Sequence, residues 1–145
     1  MKSIIIFDSN YGSTKKIADI IAKTLDAKSI SVVDVSDDDL KNLDLLIIGS
    51  PIIGWMPTQK MQTFLSKLDQ EKISGIKFAT FDTRVKLFIH GDAMKKIASK
   101  LTSLGAIQIT APLAFYVKNK EGILFEDETT KATKWAELIK ESNAI

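Results

Sequence analysis

The chain has 145 residues, 45% of them hydrophobic, and it carries 20 basic against 18 acidic side chains, for a formal charge of +2. This composition predicts one compact domain over residues 1–145, and the balanced charge argues against nucleic acid or a membrane surface as a partner. With no cysteine and only one histidine, His90, the chain has no disulfide and no cysteine-ligated metal, and zinc sites and histidine-based triads are disfavoured. The first residues lack a signal-peptide pattern and no apolar run is long enough to span a membrane, so we expect a soluble, cytoplasmic protein.

Apolar runs and helical spacing alternate through the first half of the chain. Residues 4–7 form a continuous apolar run, typical of a strand buried on both faces, and helical periodicity through residues 17–28 predicts the first helix. Residues 29–35 are rich in β-branched side chains and predict an outer strand, followed by a brief helix that begins near residues 37–39. A third strand, residues 45–48, is predicted to stop at the Gly-Ser-Pro that follows it.

The same alternation continues through the second half. Pro57 and Thr58 open a helix with an apolar face, and a strand is expected at residues 77–81. The next helix has its apolar face from Met94 to Leu104 and is predicted to end at Gly105. The last strand, residues 107–117, is expected to be interrupted by proline, and a final helix places Trp135 in the core.

Five strand–helix repeats predict a three-layer α/β sandwich, with a five-stranded parallel sheet of order 2-1-3-4-5 and helices on both faces. In such sheets the ligand crevice lies beyond the carboxyl ends of the strands. Three loops, residues 8–14, 49–58 and 81–92, are therefore the candidate site.

The first of these loops has the residue types that hold a phosphate group. It is crowded with hydroxyl and amide side chains around one glycine: Ser9, Asn10, Tyr11, Gly12, Ser13 and Thr14. A helix amino terminus offers unpaired N–H donors and partial positive charge, to which serine and threonine add hydroxyl donors. The alternative is that these residues only cap the helix. Because the loop lacks both the dinucleotide and the P-loop signatures, a monophosphate is favoured over a dinucleotide or ATP.

The other two loops supply candidates for a planar ligand. The second loop contains Ser50, Pro51, Ile52, Ile53, Gly54 and Trp55. An indole in this loop has little regular core to enter, so Trp55 is predicted to stack on a conjugated ring; the alternative is that it covers the edge of the next helix. In the third loop, Arg84 could face the ligand or pair with Asp82, and His90 could approach the ligand or be solvated.

These motifs resemble those of the flavodoxin family. Ser9, Gly12 and Thr14 match the flavodoxin phosphate loop Ser/Thr-x-Thr-Gly-x-Thr, with Tyr11 in place of the middle threonine. The second loop is similar to the flavodoxin loop that runs along the isoalloxazine ring. The third resembles a sequence found in short flavodoxin-like proteins: Phe81, Asp82, Thr83 and Arg84. Further similarity to this subgroup lies at residues 115–118, 121–122 and 132–136.

The resemblance implies a flavodoxin-like fold, FMN as the cofactor and electron transfer between redox partner proteins. It also implies that Trp55 stacks on the flavin and that backbone N–H groups of residues 81–84 bond its pyrimidine oxygens. Flavodoxins are usually acidic, whereas the pI here is about 8.7, so either a less negative redox potential or a partner with an acidic surface is expected. Lys95, Lys96 and Lys100 form either a solvated helix face or a docking patch. A monomer or weak dimer is expected.

Two other functions share this fold. One is an FMN-dependent quinone or nitro reductase, although the short loops supply no obvious substrate pocket. The other is a phosphorelay receiver, which needs an acidic pair after the first strand and an aspartate at the end of the third. Here the third strand runs into glycine, serine and proline, and Asp8 alone cannot assemble a magnesium site.

Overall fold

The computed structural model describes residues 2–86, 91–118 and 123–143. Its strands are β1 Ser3–Phe7, β2 Lys28–Ser31, β3 Leu45–Ile53, β4 Met56–Pro57, β5 Lys77–Val85, β6 Ile107–Gln108 and β7 Leu113–Val117. Its α-helices are α1 Ser13–Leu25, α2 Gln59–Ser66, α3 Gln70–Ile73, α4 Met94–Ser103 and α5 Glu128–Asn143.

These elements form a parallel sheet with helices on both faces. The strand order is β2-β1-β3-β5, after which β6 and β7 both pair with β5. The short β4 is antiparallel and forms a hairpin with the end of β3. The α/β class and the order of the long strands confirm the predicted fold.

Both faces of the sheet are buried, which explains the uninterrupted apolar runs in the sequence. Alternate residues of β1 point to opposite sides, so Ile4 and Ile6 lie in one core and Ile5 and Phe7 in the other. The first core is closed by α2 and α4, and the second by α1 and α5. Trp135 of α5 is buried there, as predicted.

Gly49 makes room for an aromatic cluster in the second core. A Cβ atom at Gly49 would lie 2.1 Å from the ring of Phe81, its partner across the β3–β5 ladder. The Phe81 ring in turn makes edge contacts with Phe115 and Trp135, at centroid distances of 5.7 and 6.1 Å. A side chain at Gly49 would therefore displace Phe81 from the aromatic cluster.

The predicted ends of two strands are wrong, because the end of each strand depends on the neighbouring strands with which it pairs. The third strand does not stop at Gly49 but continues as β3 across Pro51, which pairs with Thr83 of β5. The paired part of β1 ends opposite Gly49 and β4 pairs only from Ile52 onward, so Pro51 has a strand partner on one side alone and its missing N–H is tolerated. The fourth strand, predicted as residues 77–81, runs to Val85 because β3 and β7 flank it on both sides.

The second strand is shorter than predicted. It ends at Ser31, and the segments Val32–Asp34 and Asp37–Leu40 are 3-10 helices. Ser36 and Asp39 form a capping box at the second of these, so local side-chain bonds compete with the sheet ladder. By contrast, the predicted end of α4 is confirmed, since Gly105 follows the helix with a φ of +91°.

Candidate functional site

The three candidate loops meet at one edge of the sheet. They follow β1, β3 and β5, which are adjacent and parallel, so their carboxyl ends lie side by side. The Thr58 hydroxyl donates to Asp8 Oδ2 at 2.6 Å, which joins the first loop to the end of the second. The hydroxyls of Thr14 and Thr83 lie 2.8 Å apart and join the first loop to β5.

The start of α1 is open. Gly12 takes the N-cap position with a φ of +100°, and no side chain caps the helix. A Cβ atom at Gly12 would meet no atom within 4 Å. The alternative that the hydroxyl residues of this loop merely cap α1 is therefore wrong, and the first-turn N–H groups, with their partial positive charge, have no side-chain cap.

The polar side chains of this loop divide into two groups. Ser9 is partly buried and its Oγ accepts a 3.0 Å hydrogen bond from Gly12 N, while Thr14 is buried against Thr83. Both therefore shape the loop. Ser13 is partly buried, and Asn10 and Tyr11 are exposed. These three side chains remain available to a ligand.

The second loop is a hairpin with an apolar tip. Gly54 and Trp55 occupy the turn with φ values of +56° and +71°, the signs found in two-residue type I′ turns. Trp55 is 56% exposed, and the flanking Ile53 and Met56 are exposed as well. The Trp55 side chain is thus not buried against a helix, which argues against the alternative that it covers a helix edge. Ser50, in contrast, is buried and accepts a hydrogen bond from Thr58 N.

The third segment is held by a buried ion pair. Arg84 contacts both carboxylate oxygens of Asp82, at 2.9 Å through Nε and 2.6 Å through Nη2, so pairing is the confirmed alternative. Burial alone would lower the pKa of the guanidinium, but its hydrogen bonds and charge contact with Asp82, and a smaller effect of Asp92, raise the pKa above its ordinary value. Asp82 Oδ2 also accepts from Ala93 N and Met94 N, which caps the start of α4.

The side chains of this segment are used within the protein. Phe81 packs in the core, Thr83 bonds Thr14, and Asp82 and Arg84 pair with each other. The main chain of residues 81–84 is not an open loop but part of β5, paired with β3 as far as Thr83 and with β7 as far as Val85. His90 and residues 121–122 lie outside the described residues.

Sequence reasoning placed Asp8 and Thr58 in the candidate loops but missed the contact between them. Asp8 is buried and accepts from Ser9 N at 2.9 Å as well as from Thr58. Thr58 Oγ1 also accepts from Met61 N at 3.2 Å and so caps α2. The available signal was an aspartate at the very end of a buried strand and a threonine before a helix, but their pairing across 50 positions is a tertiary contact.

Within the part of the chain that the structure describes, no group of three or more histidine, cysteine, aspartate or glutamate side chains could hold a metal ion. Among the same residues, no helix combines the length and the apolar character that a bilayer crossing requires.

The sheet and its helices define a doubly wound α/β protein, a class in which ligands bind at the carboxyl edge of the sheet. The family model described as a flavodoxin domain matches residues 4–103. A flavodoxin of Clostridium beijerinckii is 30% identical over 118 residues, which cover 75% of this chain and 82% of that protein. The chain therefore belongs to the flavodoxin family, and FMN is its cofactor.

Solved structures agree with this fold. A flavodoxin from the domain Archaea superposes with a TM-score of 0.86 at 22% identity, covering 100% of both chains. Oxidised Flavodoxin 1 from Bacillus cereus gives a TM-score of 0.82 at 20% identity, covering 97% of this chain and 98% of that one. The protein is thus an FMN-binding electron-transfer flavoprotein.

Proposed function

We propose that this chain is a mobile electron carrier between two redox proteins, and that the three loops described above hold its FMN. The observation that carries the proposal is the start of α1, which has no side-chain cap and opens beside Gly12. The residues fit a phosphate group because they combine unpaired N–H donors with hydroxyl groups that lie next to them.

The phosphate is assigned to the first loop. The backbone N–H groups of the first turn of α1 and the Ser13 hydroxyl are its proposed donors, each worth about 1.5–3 kcal/mol against a charged acceptor. Ser9, through its bond to Gly12 N, and Thr14, through Thr83, keep the loop in shape. Asn10 and Tyr11 are proposed to close over the phosphate and its chain from outside.

The flavin ring is assigned to the space between the second and third loops. Trp55 is proposed to stack on it, with the backbone of residues 50–54 along one edge. Bound FMN supplies the chemistry, which is the reversible uptake of one or two electrons. The bonds of Asp8 with Thr58 and of Asp92 with Trp55 keep the surrounding groups in place during electron transfer.

The partners proposed for the carrier are redox proteins, and the chain is proposed to act as a monomer or weak dimer in the cytoplasm. The short loops support a carrier over a quinone or nitro reductase, which needs a pocket for its small substrate. The cytoplasmic location and the oligomeric state are expectations from the sequence alone.

Flavin fluorescence and anaerobic kinetics test the proposal together. Titration of the cofactor-free protein into FMN should quench flavin fluorescence at a 1:1 ratio, and the reduced protein should pass electrons to an oxidised iron–sulfur protein. With NADPH and a quinone as the only other components, no steady turnover is expected. Failure to bind FMN would refute the site, and rapid NADPH-dependent quinone reduction would replace the carrier with the reductase.

A further inference from the structure

The lysines of α4 lie beside the exposed tip of the second loop. Asp92 N donates to the carbonyl oxygen of Trp55 at 3.2 Å, and Lys95 N donates to Asp92 Oδ1 at 2.6 Å. Gly91 packs so closely on the Trp55 backbone that a Cβ atom there would lie 2.2 Å from Trp55 Cα. The first turn of α4 is therefore fixed next to the indole.

The positive charge of α4 is not balanced locally. The helix carries Lys95, Lys96 and Lys100 and no acidic residue, and residues 51–68, which contain the hairpin and α2, have no acidic residue either. Lys95 and Lys96 are exposed, and within the described ranges none of the three α4 lysines has a carboxylate within 4 Å.

Three acidic residues close to the tip are already engaged. Asp82 is fully buried and paired with Arg84, and Asp92 lies 3.7 Å from the same guanidinium. Asp8 is buried and bonded to Thr58. These three carboxylates therefore do not neutralise the lysines of α4.

Some lysines elsewhere in the fold are paired with carboxylates, although within the described residues others, such as Lys134 and Lys140 of α5, are not. Near the 3-10 helices, Lys41 lies 3.0 Å from Asp38 and Lys72 lies 3.4 Å from Asp37. On α1, Lys15 pairs with Asp19 at 2.6 Å. The unpaired lysines beside the tip thus differ from those that neutralise acidic residues on the same surface.

We infer that the apolar tip Ile53, Trp55 and Met56, together with Lys95, Lys96 and Lys100, is the docking surface for a redox protein whose electron-exchange face is acidic. This inference rests on the proposed carrier function. An apolar centre with a charged rim is the usual composition of a transient interface. Complementary charge at the rim speeds the encounter and orients the partner with its redox centre toward the tip.

The test uses the FMN-loaded protein and a reduced acidic two-iron ferredoxin as the probe. Each ferredoxin molecule loses one electron, so its iron–sulfur cluster is oxidised and the bound FMN is reduced by one electron. Stopped-flow mixing at low ionic strength gives the second-order rate constant. The variant is Lys95→Glu with Lys96→Glu, and the control is Lys134→Glu with Lys140→Glu, which changes the net charge equally on the exposed side of α5, across the sheet.

In the wild-type protein the rate constant should fall as salt is added. The α4 variant should react about tenfold or more slowly at low salt and lose most of this salt dependence, whereas the α5 variant should change by less than about threefold. Equal losses in the two variants would overturn the inference and leave only a net-charge effect. FMN affinity is measured in parallel, and weak FMN binding by the wild-type protein would refute the proposed function. If FMN binds normally, the comparison of the rate constants of the α4 and α5 variants tests the docking surface alone.

Discussion

The helices α1, α2 and α4 all begin at the carboxyl edge of the sheet, and of these three only α2 and α4 have side-chain acceptors for N–H groups of their first turn. Thr58 caps α2, and Asp82 accepts two backbone N–H groups at the start of α4. Helix α1 begins at Gly12 without a side-chain cap. All three starts lie in equivalent positions of a strand–helix unit, so the difference is a property of the side chains and not of the fold.

This difference separates residues that stabilise the fold from residues assigned to the ligand. A cap satisfies donors that would otherwise need water, and it stabilises the protein whether or not a ligand is bound. An open start leaves those donors for an anion. Changes at α2 and α4 should therefore alter stability, and changes at α1 should alter FMN binding.

The largest expected effect is at the start of α4. Asp82→Ala removes the partner of the buried Arg84 and the acceptor of two helix N–H groups, and should lower the free energy of unfolding by about 3–5 kcal/mol. Urea denaturation of the cofactor-free protein measures this loss. Asp69→Ala, at the exposed cap of α3, is the control and should cost about 1 kcal/mol. Equal losses at the two positions would show that the ion pair adds nothing to the cap.

The next effect is on ligand binding at α1. Ser13→Glu places a carboxylate in the open first turn, where it repels the phosphate and competes for its donors, and should weaken FMN binding by about 10–100-fold. The same carboxylate interacts favourably with the helix dipole, so the cofactor-free protein should unfold at equal or slightly higher urea concentration.

Fluorescence titration and urea denaturation of Ser13→Glu are compared with the same measurements on Ser13→Ala. The alanine variant loses only the hydroxyl and should bind FMN better than the glutamate variant. A parallel loss of stability and affinity in Ser13→Glu would contradict the separation of the two helix starts.

A smaller effect is expected at α2. Thr58→Ala removes the cap and one of the donors to the buried Asp8, and should lower the free energy of unfolding by about 1–2 kcal/mol. Thr58→Ser keeps the hydroxyl and is the matched control. If the serine variant were as unstable as the alanine variant, the loss would come from the methyl group rather than from the hydrogen bonds.

The smallest effect concerns the outer face of α1. Partial burial raises the pKa of Asp19, but hydrogen bonds from Lys15 and Ser29 outweigh it and hold the pKa below its ordinary value of 3.8. Because the pKa is lower in the folded protein than in the unfolded chain, the charged carboxylate stabilises the fold when the pH is above 3.8. This stabilisation is lost as the pH falls through the folded-state pKa.

Unfolding of wild-type protein and Asp19→Asn is therefore compared between pH 2.5 and pH 6. The wild-type protein should be the more stable near pH 6, and the difference should shrink as the pH falls. A difference that stays constant across this range would mean that the carboxylate charge plays no part.

Much of the fold could be predicted because its signals are local. The apolar run of β1 and the glycine after α4 each follow from a few neighbouring residues, and both predictions are confirmed. The end of β3 could not be predicted in this way. Whether Pro51 ends the strand depends on where β1 stops pairing, which is information from another part of the chain.

The candidate site shows the same limit. The grouping of the three loops followed from strand order, but the use of each side chain did not. Arg84 could be assigned to Asp82 only from coordinates, and the Asp8–Thr58 bond joins residues that no sequence motif connects. The assignment of these residues to FMN is a prediction that FMN-binding measurements on variants test.

The most direct test is the affinity of the cofactor-free protein for FMN and for riboflavin, which is the same flavin without the phosphate. If the open start of α1 holds the phosphate, FMN should bind at least about 100-fold more tightly than riboflavin, as expected for two or more charged hydrogen bonds. Equal affinities for the two flavins would contradict the assignment of that helix start to the phosphate.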